Sequence, residues 1–355
     1  MNVSGLVTAL SVKGVRTLSS SGYRQNLGGL APLEMKTETS FDIASLTKII
    51  VTTNLIMIMV DEGSIKLTDQ IREFFPAWNT LEKQDITIKH LLEHRSGLIP
   101  WRPLYISCSN QEKAHSQISK LPLINQINSR RIYSDLGFMI LGFLIEKIYQ
   151  ADLSTIFKNI FVDKLGFIDT QYSSPVSMDN VAATSIGDKM EYEMVSSGFP
   201  YLVPEKVQDF QSWRSEPLAG QVNDGNAFHL FGGVSGHAGL FSTARDLMGI
   251  CEIYLASFKS DNIFKQSTVL SFSKPGLDPM QGLGFRNWRI STEMGEQIVY
   301  GHTGFTGVGL GFIPGLDFAA LMLTNRLHTM DEPVKTEDVW LPFLESSLRR
   351  LIHEI

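Results

Sequence analysis

The stretch FDIASLTKII, residues 41–50, sets the hydroxyl of Ser45 three positions before the amine of Lys48. Residues at i and i+3 of a helix share one face, so the two side chains are expected to be neighbours. Apolar surroundings lower the pKa of a lysine, and the neutral amine can then take the proton of a serine nucleophile. Unpaired N–H groups in a first helical turn would also stabilise an oxyanion. The structural alternative is an N-terminal serine beside a lysine whose charge reaches solvent.

A tyrosine, Tyr133, stands at a predicted loop-to-helix junction in the stretch RRIYSDLGFMILG. A phenol beside a cation can be driven toward phenolate and serve as a base. The alternative is a partly buried aromatic residue, with Asp135 as the N-cap of the following helix.

A third candidate lies in YGHTGFTG, where His302 and Thr303 occupy a strand flanked by glycines. Glycines in a strand allow the backbone of a ligand to approach closely, as another strand would. The alternative is a histidine with a structural role.

Other motifs are incomplete. His90 and His94 in KHLLEH have the spacing of a helical metal pair but lack the H-E-x-x-H order, so helix-end packing explains them better. GGVSGHAG is not a G-x-S-x-G nucleophile elbow, because His237 stands two positions after Ser235. No phosphate-binding or dinucleotide fingerprint is present, and the sequence predicts neither a metal nor a cofactor.

The composition is that of a globular protein of 355 residues, with 43% hydrophobic and 19% charged residues. A net charge of −6 gives no electrostatic reason to expect a nucleic acid or an anionic membrane as partner. The two cysteines, Cys108 and Cys251, are far apart and favour a reducing compartment.

No secretory signal is visible at the start of the sequence, so a cytoplasmic location is expected. If the natural protein begins with a leader peptide that this sequence does not include, a periplasmic or secreted location is expected instead. The most apolar stretches, 49–60 and 136–148, are too short or too interrupted to span a bilayer and predict buried helices.

Strands are predicted at both ends of the chain and helices between them. Residues 5–24 alternate as a strand pair, and two further strand-like runs flank Pro314-Gly315. Predicted helices cover 45–62, the segment TIKHLLEH, 242–258 with Ser242 or Thr243 as N-cap, and the C-terminal VWLPFLESSLRRLIHEI. Residues 172–235 form a long loop-rich region of the kind that usually carries function. The pattern predicts one sheet assembled from both ends, with a helical lobe inserted.

The order S-x-x-K, then Y-S-D, then H-T-G near the end resembles the motif set of the serine β-lactamase and penicillin-binding-protein superfamily. The similarity extends along nearly the whole chain, and FDIASLTK, ITIKHLLEHRSGL, GHAGLFSTARDL and LTNRLH add to it. The tyrosine in the second motif is typical of the branch that contains class C β-lactamases, D-peptidases and esterases. The segment SWRSEPLAGQVNDGNAFHLFGGVSGHAGLF resembles a subgroup known only as serine hydrolases.

The resemblance implies an α/β (α+β) fold with an antiparallel sheet flanked by helices. A single domain of residues 1–355 would then have two lobes. The sheet lobe would comprise 1–44 and about 260–355, and the mainly helical lobe about 45–259.

The resemblance also implies roles for individual residues. Ser45 would be the nucleophile, Lys48 and Tyr133 the proton-relay pair, with the identity of the base left open. The backbone N–H groups of Ser45 and Phe305 would form the oxyanion hole. The residues expected to contact substrate are Asp135, His302, Thr303, Gly304, Asn325 and His328, with the last two at a substrate carboxylate. His237 would line the pocket or be structural.

Two positions depart from the usual pattern of the superfamily. Asp135 replaces an asparagine and should repel substrate carbonyls or carboxylates unless it pairs with Lys48, which weakens the case for efficient β-lactam turnover. His302 replaces a lysine and, with an ordinary pKa of about 6.5, should hold a substrate carboxylate less well as pH rises. No counterpart of the class A deacylation glutamate is found.

The resulting hypothesis is a serine hydrolase that forms an acyl-enzyme with an ester or amide. Its substrates would be D-amino-acid peptides or carboxylic esters, with slow β-lactam hydrolysis. The alternative is a catalytically weak penicillin-binding, muropeptide-binding or sensor protein. The expected partner is a small molecule or peptide, and the sequence does not predict an oligomeric state.

Overall fold

The computed structural model describes residues 3–27, 29 and 31–354, with side chains to residue 351. The first two residues and the last residue of the predicted domain therefore lie outside the described residues. The strands are β1 (Gly5–Val12), β2 (Val15–Gln25), β3 (Leu33–Glu34), β4 (Phe41–Asp42), β5 (Gln171–Tyr172), β6 (Ala183–Ile186), β7 (Pro217–Ala219), β8 (Leu240–Ser242), β9 (Arg286–Thr292), β10 (Gly295–Gly304), β11 (Val308–Ile313) and β12 (Phe318–Thr324). The helices are α1 (Asn54–Asp61), α2 (Ile71–Phe74), α3 (Ile88–Leu92), α4 (Leu104–Ser107), α5 (Gln111–Lys120), α6 (Asp135–Tyr149), α7 (Leu153–Phe157), α8 (Lys189–Ser197), α9 (Ala244–Ser257), α10 (Gln266–Ser273) and α11 (Thr336–Glu354).

Seven strands form the main sheet, in the order β3-β2-β1-β12-β11-β10-β9. Every neighbouring pair is antiparallel, and β1 pairs with β12, so the two ends of the chain meet in the middle of the sheet. This confirms the prediction of one antiparallel sheet built from both ends.

The central strands of the sheet are buried on both faces, as the alternation of side chains along β12 demonstrates, whereas most of β2 is exposed. Leu321 and Leu323 join the larger core, which also contains residues of α9, whereas Ala320 and Met322 join a smaller core around Trp340 of α11. Successive side chains of a strand point to opposite faces, so α9 and α11 cover opposite sides of the sheet.

The helix that carries the candidate nucleophile lies in the larger core. It begins as a 3-10 turn at Ala44–Leu46, has a π-helical segment at Lys48–Thr53, and continues as α1. Among the described residues, Ala44–Asp61 is the one helix with the length and composition of a membrane span, and 83% of it is buried inside the protein. The predicted buried helix is therefore confirmed.

One detail differs from the sequence-based expectations. The region 172–235 contains a helix, α8, which has only Val195 buried and so carries little apolar periodicity in its sequence. Helix α9, capped by the Thr243 side chain as predicted, packs on β1, β11 and β12. The lobe boundary near residue 260 stays a prediction.

Candidate active site

The hydroxyl of Ser45 opens into a cavity of about 540 Å³. Ala44, just before it, has a left-handed φ of +45°, which is unfavourable for a residue with a Cβ. The buried carboxylate of Asp42 holds this turn, because it accepts hydrogen bonds from the N–H groups of Ala44 (2.8 Å) and Asn223 (2.6 Å). Burial raises the pKa of Asp42 to about 6. Asp42 was missed in the sequence, although it lies directly before the S-x-x-K stretch.

Lys48 is fully buried behind Ser45 and has three acceptors around its nitrogen. Its Nζ donates to Ser45 Oγ (2.8 Å) and to the carbonyl of His237 (3.0 Å), and it lies 2.7 Å from Asp135 Oδ1. Burial lowers the pKa of Lys48, but the charges of Asp135 and Tyr133 outweigh it, so the pKa is raised overall. The expectation that apolar surroundings lower the pKa of Lys48 is therefore wrong.

Tyr133 lies beside this ammonium, which is 5.1 Å from the centre of its ring. Burial raises the pKa of the phenol more than the positive charge of Lys48 lowers it, so the net pKa is raised. The expectation that the cation drives Tyr133 toward phenolate is not met in the resting protein. Ser134, rather than Asp135, is the N-cap of α6, and Asp135 is its first residue.

His94, which in the sequence has only the spacing of a metal ligand, supports Tyr133. Its ring lies 4.4 Å from the Tyr133 ring, and its Nδ1 accepts the N–H of Ser134 at 3.0 Å. Its carbonyl accepts the N–H of Ile132 at 2.8 Å, so His94 holds the backbone on both sides of the tyrosine. No group of three or more metal-ligating side chains occurs among the described residues.

The H-T-G strand, β10, lies against the turn that carries Ser45. A Cβ at Gly304 would be 2.6 Å from the carbonyl oxygen of Ile43, which is closer than real Cβ atoms come. This close approach brings the backbone of Phe305, whose side chain lines the cavity, next to the Ser45 turn. Ser45 and Phe305, whose N–H groups are predicted to form the oxyanion hole, both line the cavity.

His302 is buried and does not line the cavity, and neither do Thr303 and Gly304. Its Nδ1 lies 2.6 Å from the carbonyl of Thr303, and its ring lies 5.9 Å from the Tyr133 ring. Burial, together with the charges of Lys48 and Arg286, lowers the pKa of His302 to about 3. The expected loss of carboxylate binding with rising pH therefore has no basis, because the ring is already neutral well below pH 7.

Asn325 and His328 were predicted at a substrate carboxylate, but neither lines the cavity, and both side chains hydrogen-bond to backbone groups. Asn325 accepts the N–H of Gly5 at 2.8 Å and donates to the carbonyl of Tyr23 at 3.0 Å. The Nε2 of His328 accepts the N–H of Asn26 at 3.0 Å. Both side chains tie the chain after β12 to the first two strands.

His237 is buried, and its side chain has a structural environment. Its Nδ1 lies 2.7 Å from Ser235 Oγ and its Nε2 3.0 Å from Asp224 Oδ1. Its carbonyl oxygen, rather than its ring, reaches the site through Lys48. Asp224 lines the cavity and was missed in the sequence, where its signal is only an N-D-G turn in the loop region.

The remaining wall of the cavity is largely apolar and comes in part from the 172–235 region, as predicted. The apolar side chains that line it include Trp101, Met190, Met194, Phe199, Tyr201 and Phe305. Such a wall, combined with polar side chains, is typical of a small-molecule or peptide site.

Comparisons with known proteins identify relatives of this chain. The model of a family described as Beta-lactamase matches residues 1–342. The N-acetylmuramyl-L-alanine amidase of Bacillus subtilis (strain 168) is 28% identical over 331 residues, which cover 84% of this chain and 70% of that protein. A protein named "Putative D-alanyl-D-alanine carboxypeptidase" from Salmonella typhi is 30% identical over 338 residues, covering 87% of this chain and 75% of that protein.

A solved structure has the same fold. The class C beta lactamase from Rhodobacter sphaeroides superimposes with a TM-score of 0.72 at 14% identity, over 98% of this chain and 95% of that chain. This likeness confirms the fold class predicted from the sequence.

Proposed function

Since the chain belongs to the beta-lactamase family, we propose that Ser45 attacks the carbonyl of an amide or ester and forms a covalent acyl-enzyme. One observation carries this proposal: the Ser45 hydroxyl opens into the cavity while its oxygen accepts a hydrogen bond from the buried Lys48 at 2.8 Å. A serine needs a neighbouring proton acceptor to be nucleophilic, and Lys48 is within direct reach.

Lys48 must lose a proton before it can accept one, because its three acceptors and its raised pKa favour the ammonium. Asp135 is the nearest carboxylate. We propose a concerted relay in which the Ser45 proton passes to Nζ while one Nζ proton passes to Asp135 Oδ1. Lys48 keeps its charge throughout this step, and the Ser45 oxygen forms its bond to the carbonyl carbon.

The tetrahedral oxyanion that results would be held by the backbone N–H groups of Ser45 and Phe305. Tyr133 remains a neutral phenol at neutral pH and can donate its proton to the leaving amine or alkoxide, and then regain one from the relay. Attack by water on the acyl-enzyme, with the same groups, would release the acid and free Ser45.

The favoured substrates are amides of peptides that contain D-amino acids, and carboxylic esters. Two supports are the printed functions of the relatives, an amidase and a carboxypeptidase, and the largely apolar wall that can accept an acyl group. Slow β-lactam hydrolysis would be a side activity.

A second candidate is a penicillin- or muropeptide-binding protein that acylates poorly. The ion pair between Lys48 and Asp135 favours it, since an ammonium held by three acceptors is a weak base. Such a protein would bind its ligand equally well without the Ser45 hydroxyl.

Intact-mass spectrometry after treatment with a fluorophosphonate tests the proposal. Wild-type protein is expected to gain one adduct, and Ser45→Ala none. Ser235→Ala is the matched control, because Ser235 lies beside a histidine and an aspartate but is buried; it should still be labelled. A panel of p-nitrophenyl esters, D-alanyl peptides and nitrocefin then measures turnover. An unlabelled wild-type protein that turns over no substrate would refute the hydrolase.

A further inference from the structure

The carboxyl-bearing side chains form the charged part of the cavity lining, and among the described residues no lysine, arginine or histidine side chain accompanies them there. Its ionisable acidic residues are Asp135, Glu191, Glu193, Asp224 and Glu332. Burial raises the pKa of Glu191 to about 8, so that its carboxyl is neutral at pH 7, and Asp135 is paired with Lys48. A carboxylate entering this cavity would therefore meet the remaining carboxylates and no unpaired cation from the described lining.

The cations around the site are engaged elsewhere. Arg326 donates to the carbonyl oxygens of Phe305 and Val334, each at 2.8 Å. Arg286 pairs with Glu337 at 2.8 Å and Arg131 with Asp278 at 2.6 Å. None of the three is free to turn toward a substrate without breaking these bonds.

The two lysines near the cavity also do not provide a free cation for a substrate carboxylate. Lys48 is fully buried and paired with Asp135. Lys189 of α8 is exposed to solvent, and its Nζ lies 3.9 Å from Oε1 of Glu193. This weak ion pair reduces the negative charge of Glu193 but adds no net positive charge.

The three positions that the resemblance assigned to carboxylate recognition also fail to supply a charge. His302 is buried outside the cavity wall, and Asn325 and His328 hydrogen-bond to the backbone of the first strands and the segment after them. The acidic lining and the missing receptor for a carboxylate are independent observations with the same consequence.

We propose that this cavity selects substrates without a free carboxylate, namely amides and esters whose ends are uncharged or cationic, over peptides that end in a carboxylate. The proposal rests on the proposed function for treating the cavity as the substrate site. A carboxylate would lose its hydration and gain only repulsion, whereas an amide can donate its N–H groups to the acidic oxygens. The chain would then act as an amidase or esterase rather than as a carboxypeptidase, and β-lactams, which carry a carboxylate, would acylate it slowly.

The test compares N-acetyl-D-alanyl-D-alanine with its C-terminal amide, which differ only in the terminal group: a charged carboxylate in one and a neutral amide with N–H donors in the other. Binding is measured by calorimetry on Ser45→Ala protein, so that the outcome does not depend on turnover. At pH 7 and low salt, the amide is expected to bind at least about tenfold more tightly. The difference should shrink at about 0.5 M salt, where charges are screened.

A second experiment reverses the charge of one acidic residue in the cavity wall. Glu332→Lys, in the Ser45→Ala background, should improve binding of the carboxylate peptide and narrow the difference. Glu345→Lys makes the same change on an exposed position of α11 outside the cavity and should leave the difference unaltered.

Equal or tighter binding of the carboxylate peptide would overturn the inference, and so would failure of both peptides to bind. The proposed function fails separately, when wild-type protein is neither labelled by fluorophosphonate nor active on any ester or amide. If the protein binds the amide more tightly but is never labelled and turns over no substrate, the proposed selectivity holds and the proposed hydrolase function fails.

Discussion

Lys48 and Asp135 form an ion pair of 2.7 Å beside the Ser45 hydroxyl. The lysine is fully buried, and the aspartate occupies the position where the superfamily pattern has an amide side chain. A buried ammonium without a countercharge would be costly, so Asp135 stabilises the charged lysine. The same contact makes Asp135 the nearest group that can receive a lysine proton.

Replacement of Asp135 tests that role. In Asp135→Asn the amide cannot accept a proton, so kcat/KM at pH 7 is expected to fall about 100-fold. The pKa of Lys48 should also fall, because a main cause that raises it is removed, and the residual activity should therefore increase with pH. Steady-state kinetics from pH 6 to about 10 measures both effects.

Glu193→Gln is the control for this experiment, since it removes another carboxylate from the same cavity wall and leaves Lys48 untouched. It should have little effect on kcat. An Asp135→Asn protein as active as wild type at pH 7 would show that Lys48 does not need the carboxylate as proton acceptor.

His94 is expected to position Tyr133. His94→Phe keeps an aromatic ring against the tyrosine but leaves the buried N–H of Ser134 without its acceptor, which should cost about 1–3 kcal/mol of unfolding free energy. Because the Tyr133 hydroxyl depends on that backbone, kcat should fall about tenfold with KM nearly unchanged. Urea unfolding and kinetics measure the two effects.

His90→Phe provides the comparison, because His90 Nδ1 also accepts a backbone N–H, that of Thr87, and lies outside the cavity wall. It should lose stability without losing kcat. If both variants reduce kcat equally, the effect of His94 is one of general stability.

His302 should make the protein acid-sensitive without affecting its activity near neutrality. Its folded pKa of about 3 lies below the ordinary 6.5, so the unfolded state binds the extra proton between these values. The stability contributed by His302 is thus complete above pH 6.5 and is lost as pH falls, by about 2 kcal/mol at pH 5.

Urea unfolding of wild type and His302→Gln at pH 7 and pH 5 measures this effect. The variant should lose less stability than wild type between the two pH values, whatever its stability at pH 7. A histidine NMR signal from His302 that titrates near pH 6.5 would contradict the low pKa.

Asn325 should be needed for the fold and not for the substrate. Asn325→Ala removes the acceptor of the Gly5 N–H and the donor to the Tyr23 carbonyl, and should cost about 2–3 kcal/mol of unfolding free energy. KM for a neutral ester should stay within about twofold, since the side chain does not line the cavity. A large rise in KM in a stably folded variant would support the sequence-based prediction that Asn325 contacts the substrate.

The sequence allowed the elements and the central chemistry to be predicted, because both depend on local patterns. Alternation in residues 5–24 predicted β1 and β2, and the S-x-x-K spacing predicted the contact between Ser45 and Lys48 that the structure contains. The pairing of Asp135 with Lys48 was considered in the sequence only as the condition under which Asp135 would not repel a substrate, and the structure contains this pair.

What could not be predicted depends on three-dimensional burial. The pKa directions of Lys48 and Tyr133 are set by one carboxylate and by a core assembled from distant segments. Asn325 stands near a motif that contacts substrate in related enzymes, yet its side chain turns to the backbone of β1 and β2. His94 has no sequence signal for its role, because it acts through a tilted ring contact with Tyr133 and through two backbone groups.

The pairing of β1 with β12 has a consequence for biosynthesis. Val12 and Phe318 are partners in the sheet although about 300 residues separate them, so a nascent chain on the ribosome presents β1 long before its partner exists. During that time the apolar segment from Ala44 to Asp61 lacks many of the residues that bury it in the folded protein. Chaperones would then be needed to keep this segment from aggregating. A message truncated before codon 318 should therefore yield inclusion bodies instead of a smaller soluble protein.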